Sequence, residues 1–491
     1  MLADLDVSSN PRTRIRGSWL RAALAKTALV VCLLAFVGET AVQAQTLTIL
    51  HAFAGPPHDG AIPRAAVLID AAGNLNGTTA EGGSSNNGTI FKIDSSGTES
   101  VLYNFAGAPD GVSPNALIAD GAGNFYGTST SGGTSNRGTV FKFDSSKVES
   151  VLYSFTGPPC DGSFPDAALV TDKAGNLYGT TQFGGSSDLG TVFKIDPSGT
   201  ETVLHSFTGP PSDGRDPTGL LIDAAGNLYG TGGGGSSSRG TVFKVEPSGT
   251  ESVLYSFEGS RDGGFPNGPL VMDTAGNLYG TTNEGGSLDN GTVFKLDSSG
   301  TESVLYSFKD VPDGKFPPAG IIRDSAGNLF GTTFEGGSAT DCFGGPILGC
   351  GTIFELDSSG SESVLHRFVG SDGGFPNGPL VMDTAGNLYG TTIQSGTVAN
   401  PGGAGVVFKL TPSVTFASLI DQVNQFVKRP QVATRMVAKL EAAEAAAAKG
   451  NQKMADRRLA AFIRRISALS GKSLTSAQAA TLTQEAKRLM I

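Results

Sequence analysis

One pattern recurs seven times in this chain at a nearly constant interval, and few folds can accommodate it. The tag G-N-[LF]-x-G-T starts at Gly73, Gly123, Gly175, Gly226, Gly276, Gly327 and Gly386, in steps of 50, 52, 51, 50, 51 and 59 residues. A second tag, G-[TV]-[VI]-F, runs from GTIFKID at Gly88 to GVVFKL at Gly405, and a third, VLYSF-like, also occurs seven times. The 21 residues Asp262–Thr282 return unchanged at Asp372–Thr392, the trace of a duplication among these units. A catalytic loop needs one copy, whereas a building block needs many. Repetition on this scale therefore reports an architecture.

Each unit reads as four short strands. In the fifth they are GPLVMD, NLYGTT, TVFKLD and SVLYSF, rich in β-branched and aromatic residues and joined by Gly, Pro, Asn, Asp and Ser. The 70 Gly and 25 Pro, with 16% charged residues, exclude a mostly helical protein. Four strands per roughly 51 residues, seven times over, predict an all-β, seven-bladed β-propeller. A solenoid is the rival, and the order of the tags argues against it. The first strand of the third tag, ILHAF, precedes the first complete unit, and the last unit ends at VVFKLTP without a fourth strand. The N-terminal strand can therefore complete the seventh blade and close the ring. A solenoid gains nothing from that offset and would need polar caps instead.

With strands A to D numbered outward from the axis, the A–B turns (D-x-x-G-N) and the C–D turns (DSSGT or DPSGT) fall on one face. They are short and nearly uniform. One carboxylate per turn is far from the six to eight oxygens that calcium takes. The B–C and D–A loops fall on the other face and vary, which places any binding site there. The D–A loops carry a repeated Asp-Gly whose aspartates, Asp59, Asp110, Asp161, Asp213, Asp262, Asp313 and Asp372, form a candidate ring at the channel mouth. The plainer alternative is that each caps the backbone of its own turn.

The residues supply no catalytic set. His51, His205 and His366 occupy the Tyr slot of the third tag, and His58 stands alone in a loop. No combination resembles a His/carboxylate metal site or a nucleophile–His–Asp set, and no cofactor is expected.

Residues 1–44 read as a signal peptide. A basic start (Arg12, Arg14, Arg16, Arg21, Lys26) precedes an apolar core at Ala28–Val37 and a small-x-small site at Val42-Gln43-Ala44. The core is shorter than a membrane span. Export permits disulfides. Cys342 and Cys350, in the loop DCFGGPILGC, are expected to bridge it, the alternative being a metal site that lacks further ligands nearby; Cys160 has no evident partner.

After the propeller (45–413) the character changes. In residues 414–491 the strand tags vanish, and Phe416, Leu419, Ile420, Val423, Phe426 and Val427 fall at helical spacing. Pro430 suits the start of a second helix and Gly450 its end; a third runs through Arg457–Leu469; Thr475 with Gln478 makes a capping box for a fourth. This small α-helical bundle carries 13 Lys/Arg against 5 Asp/Glu, while the propeller region is strongly acidic. Lys453, Arg457, Arg458, Arg464 and Arg465 cluster on one helix. A basic surface of this kind suits an anionic envelope polymer or the acidic propeller itself; a solvated face is the plain alternative. Export argues against nucleic acid as a partner.

The run D-x-x-G-N-L-Y-G-T-T-x-x-G-G-S…G-T-V-F-K-x-D-x-x-G…V-L-Y-S-F resembles the GloVer tandem repeat of bacterial exported, choice-of-anchor proteins, over roughly residues 46–410. The C-terminal LAAFIRRISALSGKSLT is similar to the helical FIMAH module of bacterial surface proteins, and departs from the apolar stretch and basic tail of other family members. The resemblance implies a secreted, periplasmic or cell-surface location and supplies no catalytic residues. The expected function is non-catalytic binding of a protein or polysaccharide at the cell surface through the varied loop face, with the helical module for attachment or partner binding. The alternatives are a polysaccharide-acting or lyase-type enzyme and a purely structural surface protein.

Overall fold

The computed structural model describes residues 45–338, 342, 349–397, 400–411 and 416–490. The expected signal peptide and part of the two-cysteine loop lie outside them. Gln45–Pro412 forms one compact unit. It is a seven-bladed β-propeller of small antiparallel sheets. Blade III shows the plan: Val170–Thr171, Leu177–Thr181, Thr191–Ile195 and Glu201–Ser206 lie side by side in chain order. Blade VII departs from it as the tag order predicted. Its outer strand is Thr46–Ala52, paired antiparallel to Val406–Thr411 from Thr46 opposite Thr411 to Ala52 opposite Val406. One sheet thus holds both ends of the propeller.

The blades adhere through a repeated aromatic contact. The Phe that ends each outer strand meets edge-on the Phe of strand C in the next blade, as in Phe105–Phe141 at 5.2 Å and Phe155–Phe193 at 5.0 Å. Phe53–Phe91 repeats it at 5.1 Å between blades VII and I. All but Phe53 of these six rings are fully buried. Each such pair contributes about 0.5–1.5 kcal/mol beyond the area it buries. Every outer pair also carries a register shift, for example between Val140 and Phe141, where Leu152 is passed over. Such bulges bend a strand and increase its twist; the residue pattern alone did not reveal them.

The glycine of the second tag is explained by the seam. Gly138 has φ +98°, and a Cβ there would lie 2.5 Å from Pro165 Cδ of the next blade and 2.6 Å from the Ser129 carbonyl oxygen. Gly138→Ala is expected to destabilise the propeller by about 2–3 kcal/mol, through both the positive φ and the overpacking. Urea titration followed by circular dichroism measures it; an unchanged midpoint would contradict this account of the tag.

The C-terminal residues belong to a second unit. Among the described residues it contains four helices: α1 (Phe416–Phe426), α2 (Pro430–Ala447), α3 (Gln452–Leu469) and α4 (Ser476–Arg488). Leu419, Val423, Met436, Leu440, Leu459, Phe462, Ile466 and Leu482 fill its core. Pro430 opens α2, and Thr475 with Gln478 forms the capping box of α4. The third helix begins at Gln452, ahead of the expected stretch. Gly450 turns the chain at φ +70°, and the Asn451 side chain accepts from Met454 N, so one short turn both ends α2 and caps α3. Among the described residues no helix is long and apolar enough to cross a membrane.

Candidate functional site

The D–A and B–C loops do share a face, because they bond to one another across neighbouring blades. Ser113 N donates to the Asn87 carbonyl at 2.9 Å, and Phe164 N to that of Arg137 at 2.8 Å. The donor residue sits at positive φ (55° and 56°) immediately before a proline. That proline turns the chain inward, and the residue after it faces the axis. In chain order these residues are Arg64, Asn115, Asp166, Thr218, Asn267, Pro318 and Asn377, and all seven line one central cavity of ≈ 370 Å³. The next position is always small: Ala65, Ala116, Ala167, Gly219, Gly268, Ala319 and Gly378. The reason is contact between backbones at the axis. A Cβ on Gly268 would lie 2.2 Å from Gly320 N, and one on Gly219 2.8 Å from Pro269 N.

The cavity is asymmetric although the scaffold is not. Its walls are mostly alanine, glycine and proline, and the polar groups of blades I to III form a hydrogen-bonded cluster. Arg64 Nη2 donates to Thr130 Oγ1 at 2.8 Å and to Asn115 Oδ1 at 3.3 Å, and lies 3.4 Å from Asp166 Oδ1. Asn115 Nδ2 donates to the Pro165 carbonyl at 2.9 Å. Arg64 Nε is buried and makes no hydrogen bond among the described residues. On the far side, Asn267 Nδ2 donates to the Pro318 carbonyl at 2.8 Å. Burial raises the carboxyl of Asp216, against the pull of neighbouring Arg215. This is the composition of a small-molecule pocket, an apolar wall with a few convergent polar groups. The legible signal was the position after each proline, which varies among units that are otherwise uniform.

The seven Asp-Gly aspartates occupy the blade seams, and none is among the residues lining this cavity. Asp161 Oδ2 accepts from Thr156 N at 2.6 Å and from the hydroxyl of Tyr153 at 3.0 Å, while Oδ1 accepts from Gly162 N at 2.6 Å. Asp110, Asp262 and Asp313 receive Tyr103, Tyr255 and Tyr306 in the same way. At the other three seams a histidine replaces the tyrosine. His51 Nε2 lies 3.1 Å from Asp59, His205 Nε2 3.4 Å from Asp213 and His366 Nε2 2.9 Å from Asp372. Asp161, Asp213 and Asp313 are buried, which a cation-attracting ring at an open mouth would not be.

A glutamate from the outer strand of the following blade completes most seams. Glu149 Oε2 accepts from Tyr103 at 3.5 Å and Glu362 Oε2 from Tyr306 at 3.3 Å. Burial, then the nearby Asp110, pushes the Glu149 carboxyl up to about 7. Glu201, Glu302 and Glu362 are likewise raised to about 7, by burial and then by Asp161, Asp262 and Asp313. Asp70, Asp120, Asp172, Asp223 and Asp273 of the A–B turns go the other way. Burial opposes it, but hydrogen bonds from Asn277 and Tyr279 hold the Asp273 carboxyl at about 2. Their oxygens are committed to their own turns.

Of the remaining candidates, Cys342 and Cys350 are joined by a disulfide, and Cys160 is free and exposed. On α3, Lys453, Arg457, Arg464 and Arg465 are exposed, while Arg458 is half-buried and donates to the Ala442 carbonyl, tying α3 to α2.

Solved structures similar to this chain include a gluconolactonase from Xanthomonas campestris (14% identity, 74% of this chain and 98% of that one, TM-score 0.38). Others are a variant of AofleA from Arthrobotrys oligospora (10% identity, 66% and 90%, TM-score 0.39) and dipeptidyl peptidase 4 from Porphyromonas gingivalis (9% identity, 69% and 49%, TM-score 0.34). No curated protein matches. The Gloeobacter/Verrucomicrobia repeat matches residues 39–231 and, in an overlapping register, 148–343, leaving the helical module outside the match. With more than half of its length covered in this way, the chain belongs to the Gloeobacter/Verrucomicrobia repeat family.

Proposed function

We propose that this is an exported, non-catalytic binding protein whose propeller takes a polysaccharide from the loop face, one sugar unit entering the central cavity. The observation that supports it is the cluster of Arg64, Asn115, Thr130 and Asp166 against a wall of alanine and proline. Planar polar side chains of this kind pair with adjacent sugar hydroxyls, and the buried Arg64 Nε is a further donor. The cavity begins where the varied D–A loops pass into the inner strands, so a chain lying across those loops has its end over the axis. The exposed basic groups of α3 serve attachment to an anionic envelope polymer.

Calorimetric titration with size-fractionated envelope polysaccharide tests the reading. Arg64→Ala is expected to weaken binding at least tenfold, the worth of one or two hydrogen bonds to a charged group. Equal affinity in wild type and variant would remove the cavity from the account. The enzyme alternative has one observation in its favour: Asp166 and Asp216 both line the cavity, and the latter is raised as a general acid requires. Incubation of the same polysaccharide with wild type and with Asp216→Asn separates the two readings. Stable chain length is expected; shortening that Asp216→Asn abolishes would establish the hydrolase.

A further inference from the structure

The seams themselves hold an arrangement that the pocket leaves unused. Three of them carry histidine in place of tyrosine, and these three are not equivalent. Between blades VII and I, His51, Asp59 and Glu99 each offer one ligand atom, and the three atoms lie within 4.8 Å of one another. Between blades III and IV, His205, Asp213 and Glu251 do the same. Between blades VI and VII the His366–Asp372 pair is present, but the slot filled by glutamate in the other outer strands holds Leu47.

We infer that the seams at His51 and His205 are two divalent-metal sites, best matched to Zn²⁺, each bound by histidine, aspartate and glutamate. The donor set is one that zinc takes, with a fourth position left for water. The spacing of histidine and aspartate agrees as well. Bonds of about 2.0–2.1 Å to a tetrahedral ion place neighbouring ligand atoms about 3.3 Å apart. His51 Nε2 to Asp59 Oδ2 is 3.1 Å, and His205 Nε2 to Asp213 Oδ2 is 3.4 Å. Glu99 Oε1 and Glu251 Oε1 are buried and have no hydrogen-bond partner among the described residues, as are the Oε1 atoms of Glu149, Glu201, Glu302 and Glu362 at the tyrosine seams, so it is the histidine nitrogen that sets these two seams apart. An ion accepts those lone pairs. It also neutralises two carboxylates that the seam holds close together, so the site carries no net charge once the imidazole is neutral.

The tyrosine seams act as internal controls. They present the same aspartate and glutamate, but the third group is a phenol that donates its proton to the aspartate and supplies no neutral nitrogen lone pair. The chain is therefore expected to bind two ions. Each would bridge consecutive blades, and one would lie at the seam next to the ring-closing strand. Because the ligands come together only in the folded ring, binding raises its stability by linkage.

The experiment uses the full chain without an affinity tag, carrying Cys160→Ser to remove the exposed thiol. The chain is stripped with EDTA, equilibrated with ZnCl₂ at pH 7.5, gel-filtered and analysed by mass spectrometry for metal per chain. Two ions are expected in the parent, one in His51→Tyr, one in His205→Tyr and none in the double variant. Each replacement installs the residue that other seams already use, so the fold is retained and circular dichroism verifies it. His366→Tyr is expected to leave two. Addition of ZnCl₂ should raise the Tm of the parent and leave that of the double variant unchanged. Metal-free parent protein, or a count indifferent to His51→Tyr and His205→Tyr, would overturn the inference. So would an equal loss in His366→Tyr.

Discussion

Deletion of residues 45–52 is expected to abolish cooperative unfolding of the propeller and to leave an aggregating protein. Those residues include the whole outer strand of blade VII. Without them Val406–Thr411 becomes an open edge, with unpaired backbone groups available to another chain. Leu47 and Leu50 leave two hydrophobic clusters, uncovering part of what surrounds Phe408, Leu410 and Val407. Several apolar side chains at about 1.5 kcal/mol or more each, and several ladder bonds at about 1 kcal/mol each, sum to a loss comparable with the whole stability of a typical domain. A permutant separates topology from composition. Thr411 lies opposite Thr46, so residues 46–53 can be re-attached after Thr411 through the Asp-Ser-Ser-Gly-Thr turn used in other blades. That chain is expected to recover a single sharp urea transition. A deletion variant that already shows one, at the parental midpoint, would mean that ring closure contributes little.

The second large effect is a loss of stability as pH rises from 5 to 8. Glu149, Glu201, Glu302 and Glu362 are raised to about 7 in the folded ring, against an ordinary value of 4.5. Between those values the folded state holds protons that the unfolded chain has released. The contribution is therefore complete below about 4.5 and declines as pH climbs towards 7, each group supplying at most about 1.4 kcal/mol per pH unit before solvent screening reduces it. Beyond 7 the contribution of these groups levels off. Asp70, Asp120, Asp172, Asp223 and Asp273 of the A–B turns have the opposite sign: they are depressed, Asp273 to about 2, and so their contribution is lost only in stronger acid. Urea midpoints at pH 5, 6, 7 and 8 are expected to fall steadily for wild type. Replacing these four glutamates by glutamine should reduce the slope while preserving the Tyr–Asp bonds, the remainder coming from Glu251, which burial and then Asp213 also raise to about 7. A wild-type midpoint that stays level, or a quadruple variant with the same slope, would refute the assignment.

The Gly and Thr positions of the repeat tags become intelligible once the strands of a blade are paired and the blades are side by side. Gly77 in the first tag leaves room for the Phe91 ring, whose Cζ would lie 2.6 Å from a Cβ. Thr78 Oγ1, next to it, donates to the Asn115 carbonyl of the following blade at 2.8 Å. The tags thus hold packing within a blade and bonding across its seam, written once per unit. This is why they were visible without any structure: every blade meets the same neighbour, and every unit must carry the same solution.

The cavity and the histidine clusters were less legible for the opposite reason. Arg64, Asn115 and Asp166 lie about fifty residues apart in the chain, and a single unit shows only one of them. The His51 cluster draws on residues 51, 59 and 99, from the outer strand of one blade, the next loop and the outer strand of the next blade. A motif search along the chain sees three unrelated residues there. The repeat by itself determined the blade count, the four strands per blade, the exchange of the N-terminal strand into the last blade and the division into a loop face and a turn face. These follow from local patterning and from the need to bury both sides of each sheet. Which side chains point to the axis, which aspartates are committed to a seam, and which residues of different blades share one site were decided by closure of the ring. Closure brings sequence-distant groups within bonding distance, and no local propensity encodes that distance.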